Sequence, residues 1–240
     1  MHHVKYEEAK ELVEHDIAVL LTGEKGTGKT TMAMQIAEEL NLKFYSMSMT
    51  RQTTLSHLLG FMSVTGDYIP TTLRAAVETG GLYLLDELDA ADVNVILCLN
   101  TVENGYVSFP TGIIDCHPDF RLMATANPQD KHDAYTGRAK LDEATLDRFD
   151  IIDIERDANL EQSLVDADTY RRITVMREAL LATNSSKVVS MRDSQRYQKR
   201  KNLGRLEGFM ERLAGHSELV LEQYEKKLAA IPKHSDQSEC

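Results

Sequence analysis

The sequence predicts an α/β fold, in which helices cover both faces of a five-stranded parallel sheet, followed by a small all-helical part. Between residues 17 and 154, short apolar runs alternate with segments whose apolar residues recur at helical spacing. Strands that alternate with helices pair in parallel, because each helix carries the chain back to the same edge of the sheet. After about residue 158 only helical spacing continues. Hydrophobic residues make up 42% of the 240 residues, which is enough for a sizeable core.

Each element follows from its own spacing. Residues 1–15 and 30–40 carry apolar side chains at helical intervals. The strands are predicted at residues 17–21, 42–47, 82–86, 120–126 and 150–154. Three further helices are predicted at residues 160–183, 192–203 and 206–231. We therefore expect an α/β core over 1–157, a helical lid over 158–233 and a flexible tail over 234–240.

Charge and cysteine content exclude several classes of protein. The net charge is −11, from 27 basic and 38 acidic residues, which does not favour nucleic acid as a partner. The three cysteines form no CxxC pair, which argues against a disulfide framework or a zinc site and for a reducing, cytoplasmic compartment. The apolar runs are too short to span a bilayer, so we expect no membrane partner.

The first chemical motif is the segment GEKGTGKT at residues 23–30, which lies between a predicted strand and a predicted helix. Its pattern is that of a P-loop, whose glycines allow backbone N–H groups and a helix N-terminus to converge on phosphate. Lys29 can reach the β- and γ-phosphates of ATP, and the Thr30 hydroxyl can bind Mg²⁺. The predicted nucleotide-binding set comprises Gly23, Glu24, Lys25, Gly26, Thr27, Gly28, Lys29, Thr30 and Thr31. The alternative, a chance glycine-rich turn, does not explain the strand and helix on either side.

The second motif is a pair of acids, Asp86 and Glu87, at the end of the apolar run GLYLLDE. Ligands bind at the carboxyl ends of strands in parallel sheets. Asp86 can hold Mg²⁺, and Glu87 can orient and polarise the attacking water, which indicates hydrolysis. An acid cluster at the start of a loop is the alternative, and the preceding P-loop disfavours it.

Three further polar residues are candidates for catalytic roles. Asn127 ends the strand FRLMATA and could hydrogen-bond the water or the γ-phosphate, although Asn-Pro also starts turns. Arg148 lies in LDEATLDRFD, where the surrounding acids suggest either local ion pairs or a partner elsewhere. Arg192 begins a segment, residues 187–205, with seven basic residues against one acid. We expect Arg192 to sense phosphate, and most of the other basic residues to lie on a solvated helix face.

Together these residues resemble the AAA+ ATPases, which are P-loop NTPases. The chain looks most like the MoxR branch, and within it like CobS-like (cobaltochelatase ATPase subunit-like) proteins of phages and bacteria. The resemblance is carried by three segments, at residues 71–105, 117–128 (HPDFRLMATANP) and 135–150 (YTGRAKLDEATLDRFD). The segment PQDKHD at 128–133 departs from these relatives, which are often longer and glycine-rich there.

The resemblance implies a strand order of 5-1-4-3-2, a C-terminal helical lid and a homo-oligomeric ring, usually a hexamer. It also implies ATP and Mg²⁺ as ligands. Asn127 would be sensor 1, Arg192 sensor 2, and Arg148 an arginine finger supplied to the neighbouring subunit, with Arg138 a second interface candidate. Inserts at about 57–70 and 103–117 would face the ring pore. There Phe61, Tyr68 and Tyr106 are candidate client contacts, although ordinary packing explains such aromatics equally well.

The sequence is compatible with three functions. The first is a Mg²⁺-dependent ring ATPase that remodels a protein client, in the manner of a chaperone or a metal- or cofactor-insertion protein. Such proteins often act with a partner that bears a von Willebrand A domain. The second is a nucleic-acid translocase or loader that uses the basic segment 187–205. The third, a P-loop switch without turnover, is disfavoured by Glu87 beside Asp86.

Overall fold

The computed structural model describes residues 1–127, 141 and 143–231. The chain divides into two compact units, the first from His2 to Glu155 and the second from Arg156 onwards. The predicted tail, 234–240, lies outside the described residues. No helix in the described part of the chain is both long and apolar enough to cross a membrane.

The first unit contains six α-helices and nine strands among its described residues. In chain order these are α1 (Tyr6–Glu14), β1 (Val19–Thr22), α2 (Lys29–Glu39), β2 (Phe44–Ser48), α3 (Leu55–Leu59), β3 (Phe61–Met62), β4 (Tyr68–Ile69), α4 (Thr72–Thr79), β5 (Gly81–Asp86), α5 (Val93–Ile96), β6 (Tyr106–Phe109), β7 (Gly112–Asp115), β8 (Phe120–Ala126), α6 (Glu143–Leu146) and β9 (Asp150–Asp153). Short 3-10 helices occupy Leu88–Ala90, Leu97–Leu99 and Val102–Asn104.

Five of the strands form a parallel sheet in the order β2-β5-β8-β1-β9. Counted over these five strands alone and read from the other edge, the order is 5-1-4-3-2, as the resemblance implies. The labels differ in detail because four short strands lie outside the sheet. Side chains of β5 alternate between two apolar clusters, with Tyr83 and Leu85 in one and Leu82 and Leu84 in the other. The sheet is therefore buried on both faces, as a parallel sheet requires.

The four remaining strands form two antiparallel hairpins, β3–β4 and β6–β7, within the two predicted inserts. Arg74 of α4 contacts both of them. Its guanidinium lies 5.5 Å from the ring centre of Tyr68 and 4.8 Å from that of Phe109, and it donates a 2.8 Å hydrogen bond to Thr111. One largely covered arginine side chain thus fixes both hairpins to the same helix.

The second unit contains five described helices, α7 (Ala158–Leu164), α8 (Ala167–Ala182), α9 (Met191–Asn202), α10 (Phe209–Leu213) and α11 (Glu218–Ala230). Two of the predicted helices were wrong in extent. The segment 160–183 breaks at Val165, because Asp166 adopts an extended conformation and its carboxylate caps α8 by accepting from the Thr169 N–H. The segment 206–231 breaks at Gly215 and His216, which both have positive φ and cannot continue a helix.

Candidate functional site

The P-loop follows β1 and leads directly into α2, as predicted. Gly26 and Gly28 have φ values of 83° and 99°, which glycine adopts without steric cost. At Gly23 a side chain would place its Cβ 2.2 Å from the carbonyl oxygen of Ile154. Glycine is therefore required at Gly23 by the close approach of the strand β9 end, as well as by its φ of 149°.

The side chains of the loop are held by its own backbone. Lys29 is buried, and its ammonium donates to the carbonyl oxygens of Gly23 at 2.6 Å and Glu24 at 2.9 Å. The Thr27 hydroxyl also donates to Glu24, at 3.0 Å. Lys29 thus closes the loop around the N-terminus of α2, an arrangement that suits phosphate. Of the remaining predicted binding residues, Lys25 and Thr31 are exposed.

Thr30 and Asp86 meet at the mouth of the P-loop. The Thr30 hydroxyl lies 3.2 Å from both carboxylate oxygens of Asp86. Adjacent ligands of an octahedral Mg²⁺ ion are about 3 Å apart when each metal–oxygen bond is about 2.1 Å. A hydroxyl and a carboxylate are also the hard oxygen donors that this ion prefers. The donor set and its spacing therefore fit Mg²⁺.

Thr125 is a site residue that the sequence analysis missed. Its hydroxyl donates to Asp86 at 2.5 Å and accepts from the Glu87 backbone N–H at 3.0 Å. The register that pairs Leu85 with Ala124 places Thr125 beside Asp86 on the adjoining strand. A threonine near the end of a mostly apolar run was the available signal, and it becomes informative only once the register is known.

Glu87 has a left-handed backbone conformation, with φ 59° and ψ 46°. Such a conformation costs a residue with a side chain about 1–3 kcal/mol, and residues that adopt it cluster at functional sites. Its N–H is fixed by Thr125, and its side chain is half-buried directly after the strand that carries Asp86. The predicted acid pair is thus fixed at the carboxyl end of β5, beside the P-loop.

Asn127 is buried at the end of β8, and its side-chain amide donates to the carboxylate of Asp89 at 3.3 Å. Asp89 is also buried and was not singled out from the sequence. The carboxylate orients the amide, so its carbonyl oxygen and amide group have a fixed direction. The sensor role of Asn127 stays a prediction.

Arg148 contacts its own chain in a way that the local sequence did not indicate. Its guanidinium donates to the carbonyl oxygen of Ala144, and its Nε lies 3.9 Å from the carboxylate of Glu103. The ion pair therefore links Arg148 to a residue 45 positions earlier, outside the segment LDEATLDRFD. Arg138, the second interface candidate, lies outside the described residues.

Arg192 is exposed on the first turn of α9, in the second unit. A buried carboxylate, Glu161, fixes this turn: it accepts two hydrogen bonds from Arg177, at 2.7 and 3.0 Å, and one from Ser194. Arg177 also donates to the Val189 carbonyl at 2.8 Å. Burial alone would raise the pKa of Glu161, but these hydrogen bonds outweigh it and lower the pKa. The start of α9 is thus rigidly placed.

Known proteins are similar to part of this chain. An uncharacterised protein of Staphylococcus epidermidis is 26% identical over 166 residues, a match that covers 62% of this chain and 60% of that protein. Midasin of Dictyostelium discoideum is 29% identical over 150 residues, which cover 58% of this chain and 2% of midasin. The chain thus matches less than two thirds of the length of these relatives.

Solved structures share the fold at low sequence identity. A proposed ATPase from Cytophaga hutchinsonii has a TM-score of 0.51 and 16% identity, covering 95% of this chain and 86% of its own. NtrX from Brucella abortus has a TM-score of 0.53 and 14% identity, covering 99% of this chain and 57% of its own.

A family profile, described as AAA domain (dynein-related subfamily), matches residues 18–149. This range begins just before the P-loop strand and ends next to Arg148, so it includes every described site residue of the first unit. Because the match covers more than half of the chain, the chain belongs to the dynein-related subfamily of AAA domains, within the AAA+ ATPases.

Proposed function

We propose that the chain is a Mg²⁺-dependent AAA+ ATPase that works as a ring and couples ATP hydrolysis to the remodelling or activation of a protein client. The observation that carries the proposal is the hydrogen-bonded group at the mouth of the P-loop. There Thr125 joins Asp86 to the backbone of Glu87, and Thr30 contacts the same Asp86 carboxylate. The group assembles a metal-binding carboxylate and a candidate base around the place where phosphate binds.

Each residue of this group has a distinct part in the chemistry. The backbone amides of the P-loop and Lys29 bind and orient the phosphates. Thr30 and Asp86 would hold Mg²⁺, which when bound neutralises charge on the β- and γ-phosphate oxygens. The oxygen of the water attacks the γ-phosphorus, and Glu87 accepts a proton from this water. The bond between the γ-phosphorus and the bridging oxygen breaks, and that oxygen leaves with ADP.

The position of Arg148 supports hydrolysis at a boundary between subunits. Arg148 precedes β9, whose first residue, Asp150, pairs with Val19 at the amino end of β1. The P-loop begins after the carboxyl end of β1. The four residues of β1, Val19–Thr22, span about 10 Å. Arg148 and the P-loop of the same chain therefore lie at opposite ends of these strands. We propose that Arg148 serves the ATP of a neighbouring copy, as an arginine finger.

The two hairpins are the proposed client surface. Their large apolar side chains are exposed at Phe61, Met62, Val64, Ile69 and Ile113. Tyr68 instead packs under Arg74, and its hydroxyl donates to the Leu59 carbonyl at 2.7 Å, so its role is structural. Exposed apolar side chains on two hairpins fixed to one helix suit a protein client.

The finer assignments rest on the resemblance. We propose a MoxR-type, CobS-like ring, with a hexamer as the expected form and a von Willebrand A domain protein as a candidate partner. We also propose that the second unit acts as the lid and that Arg192, in this unit, senses the phosphate as sensor 2. Cytoplasmic location is part of the proposal.

The nucleic-acid alternative is disfavoured by the contacts of two basic residues and by the net charge. Of the basic residues in segment 187–205, Lys201 pairs with Asp166 and Asp168 at 2.9 and 3.0 Å. Arg200 lies over the ring of Phe209, at 5.5 Å from its centre. These contacts stabilise the second unit, and the overall net charge of −11 opposes binding to nucleic acid.

The proposal is tested by ATP turnover and binding of two variants. Glu87→Gln removes the base, so turnover should fall by about 10²–10⁴-fold while ATP still binds. Lys29→Ala should lose ATP binding. Glu38→Gln, which changes an exposed acid on α2, serves as the matched control and should keep normal turnover. Normal turnover by Glu87→Gln would remove Glu87 from the mechanism. The ATP-bound Glu87→Gln ring is also the best affinity reagent for identifying the client.

A further inference from the structure

The Arg148 side chain is largely covered by its own chain. Only 21% of it is exposed, against 54% for its ion-pair partner Glu103. The guanidinium donates to the carbonyl oxygen of Ala144 in α6, one of the carbonyl groups that the end of a helix leaves without a backbone partner. These contacts hold the guanidinium against its own chain.

The contacts lie at a cavity of about 230 Å³ at the amino ends of β1 and β8. Arg148 and Phe149 line this cavity. The two ends of the β6–β7 hairpin also line it, through Glu103 and Gly105 before β6 and through Cys116 after β7. The Cys116 N–H donates to the Gly105 carbonyl at 2.7 Å, which closes the base of the hairpin. Glu103 thus belongs to the hairpin base, and its carboxylate lies 3.9 Å from the arginine at the wall of the cavity.

We propose that Glu103 is a positioning residue that restrains Arg148 in its own chain and so lowers the basal rate of ATP hydrolysis in the ring. The inference rests on the proposed role of Arg148 at the neighbouring site. A guanidinium that binds a carboxylate gives up part of its capacity to bind phosphate, so Glu103 competes with the nucleotide of the neighbour. The other ionisable groups at the cavity have partners of their own, since Asp16 lies 3.5 Å from Arg121 and His117 lies 3.8 Å from Asp119.

The test compares steady-state ATP hydrolysis by the full-length wild type and by Glu103→Gln. Removing the carboxylate charge frees the arginine, so kcat per subunit should rise about two- to five-fold, as expected for loss of one exposed ion pair. KM for ATP should not change, because Glu103 lies near the amino ends of β1 and β8, whereas the P-loop of the same chain follows the carboxyl end of β1. Asp147→Asn is the matched control. It removes an exposed acid next to Arg148 that lies outside this ion pair, and kcat should stay at the wild-type value.

A second pair of variants shows whether Glu103 acts through the arginine. In an Arg148→Ala background, the change Glu103→Gln should have no effect on the residual rate. If Arg148→Ala is inactive and Glu103→Gln matches or falls below the wild type, the restraint is disproved while the finger survives. An Arg148→Ala variant with normal turnover would instead contradict the finger itself, and the restraint with it.

Discussion

Replacing Thr125 with valine is the sharpest perturbation of the site, because it removes one hydroxyl and preserves the shape of the side chain. The hydroxyl donates to Asp86 at 2.5 Å and accepts from the Glu87 N–H at 3.0 Å. Both hydrogen bonds disappear in Thr125→Val. Thr125 is 1% exposed, so water cannot readily replace the lost partner.

The expected loss follows from these two contacts. A hydrogen bond to a charged group contributes about 1.5–3 kcal/mol to stability. Leaving the Glu87 N–H buried without its partner costs about 1–3 kcal/mol more. Thr125→Val should therefore lower the free energy of unfolding by about 2–4 kcal/mol, allowing for partial relaxation. ATP turnover should fall as well, because Asp86 and Glu87 lose the group that fixes them relative to each other.

Urea denaturation followed by circular dichroism measures the first effect, and steady-state ATP hydrolysis measures the second. Thr125→Ser is the control, since it keeps the hydroxyl and should retain most of the turnover. If Thr125→Val unfolds within about 0.5 kcal/mol of the wild type and hydrolyses ATP normally, the two hydrogen bonds do not organise the site.

Two further predictions concern the backbone and the second unit. Gly23→Ala should be destabilised by more than the roughly 1–3 kcal/mol of backbone strain, because its Cβ meets the Ile154 oxygen. Gly66→Ala is the control, with a φ of +87° but open space around its Cβ, and similar losses for both in urea melts would argue against the clash. Glu161→Gln should cost roughly 3 kcal/mol, because it leaves Arg177, whose side chain is 14% exposed, without its buried counter-charge. Since folding lowers the pKa of Glu161 below its usual 4.5, its contribution is present at neutral pH and is lost as the pH falls through the folded pKa. The stability gap between wild type and Glu161→Gln should therefore narrow in acid, and a gap that is constant from pH 7 to the acid range would refute this account.

The sheet could be predicted because its signals lie along the chain. The apolar run that became β8 matches its predicted range, residues 120–126, and the strand β9 differs from its prediction by one residue. The P-loop could also be predicted, since its glycines and Lys29 lie within one short segment. Continuous local patterns of this kind are set by backbone geometry and burial, and neighbouring strands change them little.

Partners across the sheet could not be predicted in the same way. Thr125 and Asp89 acquire their roles from residues on other elements, through a register that no single segment reveals. The pairing of Arg148 with Glu103 is another example, because the sequence offered nearer acids. The breaks at Asp166 and His216 were missed for a different reason, since apolar spacing continues through both and capping decides the helix ends.

Hydrolysis is proposed to require residues from two copies of the chain. Mixing subunits tests this requirement most directly. Arg148→Ala keeps the P-loop and lacks the finger, whereas Lys29→Ala lacks the P-loop lysine and keeps the finger. Each variant alone should be nearly inactive. Mixed in equal amounts, they should recover part of the wild-type ATP hydrolysis, at sites where an intact P-loop faces an intact Arg148. Wild-type hydrolysis by Arg148→Ala alone, or no recovery in rings shown to contain both variants, would contradict the account.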